Sequence, residues 1–164
     1  MRKILLGLTM LFVYISAHAQ LLSWAPQFSN DNSTVVITVD AAKGNQGLLG
    51  YTGTVYMHLG VITNLSTSPT DWKYVPTTWA TTSAPVATAL GGDKWSFTIT
   101  NPRAYFNAGA GGVPAGETIL KIAILFRDAL GNKVQKNADG TDMYVPIYAV
   151  GRNYIQFTIG GFVN

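Results

Sequence analysis

The chain of 164 residues contains no cysteine. That excludes a disulfide framework, a cysteine nucleophile, thiolate-bound zinc and a cysteine-borne lipid anchor. Charge is scarce too: 12% of residues are Asp, Glu, Lys or Arg, about half the usual ~25%. A charge-rich disordered chain and a helical bundle laced with ion pairs are therefore excluded. The acid–base inventory is thin, with two histidines and one glutamate, Glu117. Glycine, by contrast, occurs 17 times, alongside 8 Tyr, 7 Phe and 4 Trp and many Thr and Val. β-branched and aromatic residues fit pleated, half-buried surfaces, so the composition points to one all-β domain with room for a core.

The positive charge is concentrated at the start. Residues 1–19 read as a secretory signal peptide: Arg2 and Lys3, an apolar run from Ile4 to Ile15, then the small-x-small box Ala17-His18-Ala19. The run is too short for a spanning helix, and no second stretch is long enough to insert the mature chain in a membrane. Removing Arg2 and Lys3 leaves 11 − 2 = 9 basic residues against 8 acidic ones, a net charge of +1. Nucleic-acid binding thereby loses its electrostatic basis. The expected mature protein is a secreted single domain over residues 20–164, with His58 as its one histidine.

That region shows period-two patterning and no convincing amphipathic helix. The spacing predicts strands at Thr34–Asp40, Gly53–Leu59, Asp71–Val75, Lys94–Thr100, Met143–Tyr148 and Tyr154–Thr158. Ile119–Phe126 is nearly all apolar and reads as a central strand covered on both faces. Leu21–Phe28 reads as an edge strand, because Pro26 cannot donate to a ladder. Gly/Asn turns separate these runs, and the loops at Thr63–Thr70 and Thr77–Gly92 are long. The expectation is an immunoglobulin-like antiparallel β-sandwich of seven or eight strands, with long loops available for binding.

No catalytic pattern stands out. A serine triad lacks its Gly-x-Ser-x-Gly elbow, and Asp71, Asp128, Asp139 and Asp142 qualify for glycoside hydrolysis only by being carboxylates. Asp139-Gly140-Thr141-Asp142 lacks the length and ligand count of an EF-hand loop and reads as a turn. The reading is of a non-enzymatic protein with no metal and no cofactor. The aromatics are more informative. Trp95 is in phase with Phe97 and Ile99 and reads as core, and Trp24 beside Pro26 reads as packing. Trp72 and Trp79 flank a polar stretch beside the long loops, where a large exposed apolar surface marks a contact. Indoles stack on the C–H faces of sugars, and His58, Asn64, Asp71 and Lys73 are candidates for a hydrogen-bonding rim. The alternative places Trp72 in the sandwich core and His58 against a backbone carbonyl.

The run VYMHLGVITN…DWKYVPTTW…KWSFTI…ILKIAILFRDALGNKVQKNADGTDMYVPIY resembles starch-binding carbohydrate-binding modules of families 25 and 26. It is similar in particular to the N-terminal β-sandwich of secreted α-amylase-type glycoside hydrolases of Bacteroidota. The resemblance implies a non-catalytic α-glucan site for starch, glycogen or maltooligosaccharides. In that site His58 would bond glucose hydroxyls and Trp72 would stack on a sugar face. Trp79 and Tyr74 would assist, Tyr56 would stand at the rim, and the Asp128–Asp142 segment would lie at the far side. It also implies a catalytic glycoside hydrolase domain as a partner in a parent protein. The chain departs from the pattern between Ala129 and Thr141, which contains no aromatic. The competing reading is an immunoglobulin-like spacer or adhesion module without sugar binding.

Overall fold

Alternation of apolar and polar residues lets a strand bury one face and wet the other, and two such sheets close a core between them. The computed structural model, which describes residues 20–149, realises this as an immunoglobulin-like antiparallel β-sandwich of eight strands. In the first sheet β2 (Thr34–Asp40) pairs with β5 (Lys94–Thr100) along its whole length, from Thr34↔Thr100 to Asp40↔Lys94. The edges are β1 (Leu22–Ala25), which ends just before Pro26, and β4 (Thr88–Gly91). In the second sheet β6 (Ile119–Arg127) is central. It pairs with β3 (Tyr56–Thr63) on one side. Its other side takes β8 (Met143–Pro146) and then β7 (Val134–Gln135). A single helical turn, α1 (Pro102–Tyr105), is capped by the Asn101 side chain, which accepts from the Ala104 N–H.

Val35, Ile37 and Val39 of β2 and Trp95 and Ile99 of β5 face Met57, Leu59 and Val61 of β3 and Ile122, Ile124 and Phe126 of β6 in one buried cluster. Each such side chain contributes about 1.5–3 kcal/mol by leaving water. Trp95 is core, as its phase with Phe97 and Ile99 predicted, and Trp24 packs partly against the cluster, as its place beside Pro26 in the first strand suggested.

The opposite face of the second sheet positions the site. The pairs Tyr56↔Arg127, His58↔Leu125 and Gly60↔Ala123 put these six residues on one outward face. The 64–87 segment folds back along β3, bonding Val61 N–H to Lys73 C=O at 3.0 Å and Met57 N–H to Pro85 C=O at 2.7 Å. It occupies an edge that would otherwise expose unpaired backbone. Gly60 permits the close approach: a Cβ there would lie 3.0 Å from Val75 Cγ2 and 3.2 Å from Trp72 Cβ. Gly60→Val should therefore push the 72–75 stretch outward and cost about 1–3 kcal/mol by overpacking, read as a lowered urea midpoint.

Several boundaries differ from expectation. Asp71–Val75 forms no strand: it makes one bridge, Lys73↔Val61, and Tyr74 leaves extended geometry at φ 52°. The Gly53–Leu59 strand is shifted, starting at Tyr56 and running through Gly60 to Thr63. β4 and β7 arise where no strand was expected; at four and two residues they are too short to show a period. Met143–Tyr148 shortens to β8, with Tyr148 in a separate bridge to Asn30. The Tyr154–Thr158 strand and the 1–19 leader lie outside the described residues.

Candidate functional site

His58 points outward from β3 because the residues on either side of it, Met57 and Leu59, take the core on the opposite face. Two indoles from the folded-back segment meet it. Trp72 stacks on the imidazole with centroids 5.5 Å apart and planes 28° apart. Trp79 meets it edgewise at 4.9 Å and 88°. Together they border a cavity of about 440 Å³ to which Asp71, Lys136, Asp142 and Leu125 also contribute. That volume falls within the ~300–1,000 Å³ range of small-molecule sites. Trp79 is 44% exposed, and His58 and Trp72 are half-buried.

The polar rim is organised by two ion pairs. Asp71 Oδ2 accepts from the Thr67 N–H at 2.9 Å and hydroxyl at 3.1 Å, and Lys73 Nζ lies 3.0 Å away. The Thr67 N–H first, then Lys73, hold this carboxyl below the usual carboxylate range. Across the cavity Lys136 Nζ pairs with Asp142 Oδ1 at 3.0 Å. Both carboxylates keep acceptor capacity for hydroxyl donors. Burial, then the Arg127 charge, depresses the His58 pKa, and Asp142 opposes them. The imidazole is therefore neutral at pH 7. Its Nδ1 is buried without a partner among the described residues, which leaves Nε2 as the nitrogen available to a ligand.

A depressed folded-state pKa has a consequence for stability. The unfolded chain binds a proton on His58 near pH 6.5 while the folded protein resists it. The contribution is complete above pH 6.5 and declines as pH falls from there through the lower folded value. Urea unfolding followed from pH 7.5 to 5 should show stability falling in that window, with the slope flattened in His58→Gln. The depressed carboxyls Asp71 and Asp139 act only below about pH 4.

Of the sequence-predicted residues, His58, Trp72, Trp79 and Asp71 converge on the cavity. Three others stand apart from its lining. Lys73 is the ion-pair partner of Asp71. Tyr74 donates its hydroxyl proton to Glu117 Oε2, while the buried Thr63 hydroxyl donates to Oε1 of the same carboxylate. Tyr56 lies beneath the Arg127 guanidinium, 5.8 Å from ring centroid to Cζ. Asn64 is spent on structure, tying the end of β3 to the start of β6: its Oδ1 accepts from the Thr118 N–H at 2.8 Å. Asp139 likewise closes its turn by accepting from Thr141 N–H and hydroxyl. No group of three metal-ligating side chains occurs among the described residues. Sequence reasoning missed Leu125 and singled out neither Lys136 nor its pairing with Asp142, although the resemblance put the Asp128–Asp142 segment at the far side of the site. Leu125 follows from the β6 alternation, two residues before Arg127; the Lys136–Asp142 pair depends on a loop path that leaves no period.

Protein-family models and curated proteins were both searched with this chain, and neither search returned a match.

Proposed function

We propose that the protein is a secreted, non-catalytic carbohydrate-binding module whose cavity takes α-glucan: starch, glycogen or maltooligosaccharides. The observation that carries this reading is the convergence of two indoles, a neutral imidazole and two carboxylates on one open cavity. Trp79 is the leading platform, since it is the more exposed indole and is held from behind by a buried cation. Trp72 forms the adjoining wall. His58 Nε2, Asp71 and Asp142 meet sugar hydroxyls, and Lys73 and Lys136 hold the carboxylates in place. Tyr56 and Tyr74 brace the frame. Each sugar hydrogen bond replaces one to water, so the net gain is small. One or two rings in such a site bind with Kd of about 10 µM to 1 mM, roughly −7 to −4 kcal/mol. Retention on a polymer comes from multivalency or from attachment to a glycoside hydrolase domain in a parent protein.

The half-burial of Trp72, stacked on His58, favours a second reading in which the indoles only cover the sheet of a structural spacer. Affinity electrophoresis separates the two. The carbohydrate-binding reading expects retardation in native gels containing soluble starch and none with dextran or xylan. Equal mobility in all gels establishes the spacer instead.

A further inference from the structure

Arg127 is the largest fully buried side chain and ends the central strand β6. A buried guanidinium ordinarily sits against a carboxylate, because desolvating an unpaired charge is costly. Here no carboxylate lies within ion-pair distance of it among the described residues. Its Nη atoms donate instead to three backbone carbonyls: Asp128 at 2.8 Å, Ala129 at 3.1 Å and Thr81 at 2.8 Å. Its Nε is buried and unpartnered. Two of those carbonyls belong to the turn that leaves β6, while the third lies two residues beyond Trp79. The guanidinium carbon stands 5.4 Å from the Trp79 ring centroid. The turn supplies a further constraint at Gly131, where a Cβ would come within 2.5 Å of Trp79 Nε1.

The same cation thus touches the indole, ties the loop that carries it and ties the turn against its edge. We propose that Arg127 is the positioning residue of the cavity: it fixes the Trp79 indole at the mouth by presenting a fork to both flanking backbones and a charge to the ring. This rests on the carbohydrate-binding reading for its purpose but not for its geometry. The planar fork matters as much as the charge, because a lysine ammonium cannot reach three carbonyls in two segments from one plane.

The test is ¹⁹F NMR of the full chain labelled with 5-fluorotryptophan, in which the four tryptophans give four resonances and Trp79→Phe assigns one. Arg127→Met should shift or broaden the Trp79 resonance and leave that of core Trp95 in place. Arg127→Lys should do the same to a lesser degree, and both should weaken retardation by soluble starch at least tenfold. An unmoved Trp79 resonance in either folded variant overturns the proposal. So does movement of all four resonances together, or loss of fold in both variants, since each assigns Arg127 to the domain as a whole. If the unsubstituted protein ignores starch while the Trp79 resonance still responds, the positioning role stands and the carbohydrate reading falls.

Discussion

Trp79→Ala is expected to abolish retardation by starch at concentrations that clearly slow the unsubstituted protein, while the fold survives. The indole is 44% exposed and its contacts are peripheral: Arg127 over the ring, His58 and the Gly131 backbone beside it. Truncation should cost about 1 kcal/mol of stability, in the ordinary range for a point substitution. The binding loss should be larger than that, because a ring pressed on a hydrophobic platform is the one contact here that water does not replace with an equivalent hydrogen bond. A tenfold or greater fall in affinity, about 1.4 kcal/mol or more, is the expected size. Trp72→Ala should behave differently. Its indole is half-buried against the imidazole, so stability and binding should fall together. Undiminished starch retardation in Trp79→Ala would remove the indole as a platform and with it the proposed orientation of the ligand.

The largest stability effect is expected at Phe126. Its ring is fully buried near the end of the central strand β6, opposite Met57 on β3 and Gln135 on β7. Close-packed interiors relax only partly around a lost ring, so Phe126→Ala should cost about 3–5 kcal/mol. Domains of this size have about 5–15 kcal/mol in all, so the variant should unfold at much lower urea or fail to accumulate. Leu125→Ala, one residue away on the outward face, removes a side chain that borders the cavity and should cost clearly less. Equal losses at the two positions would contradict the assignment of the two faces.

The strands with clear alternation were legible because each face had a separate destination. Thr34–Asp40 and Lys94–Thr100 carry apolar residues on one side and hydroxyls or charge on the other, and their boundaries match β2 and β5. Ile119–Phe126, which the structure extends by one residue to Arg127, was legible for another reason: the face not in the core is covered by a folded-back loop, so Ala123 and Leu125 are buried too. Asp71–Val75 looked like a strand because Trp, Tyr and Val favour extended backbone. The pull of the Thr63–Glu117 pair on the Tyr74 hydroxyl and the positive φ at Tyr74 prevail over that preference. At the site, Trp72 and Trp79 were legible as indoles flanking a polar stretch beside long loops, with His58 as a candidate for the rim. The contributions of Lys136 and Arg127 were not, because each depends on how a loop travels in space; the segment ending at Asp142 was placed only as a whole. A buried arginine leaves no mark in a sequence that distinguishes it from a solvated one.

The alternation along β6 has one more consequence, for how such a protein can change over generations. Ile122, Ile124 and Phe126 serve the interior while Ala123, Leu125 and Arg127 lie on the opposite face, beneath the folded-back segment and the cavity. The two sets are interleaved on a single ribbon with period two. Inserting or deleting one residue within it would exchange them, sending a guanidinium inward and a phenyl ring outward, so length variation there is lethal to both roles at once. Substitution at Leu125, which borders the cavity and not the core cluster, is free of that coupling. A lineage, or an engineer, reshaping the cavity on this scaffold would vary Leu125 and the loop tips that face it while holding Ile122, Ile124 and Phe126 constant.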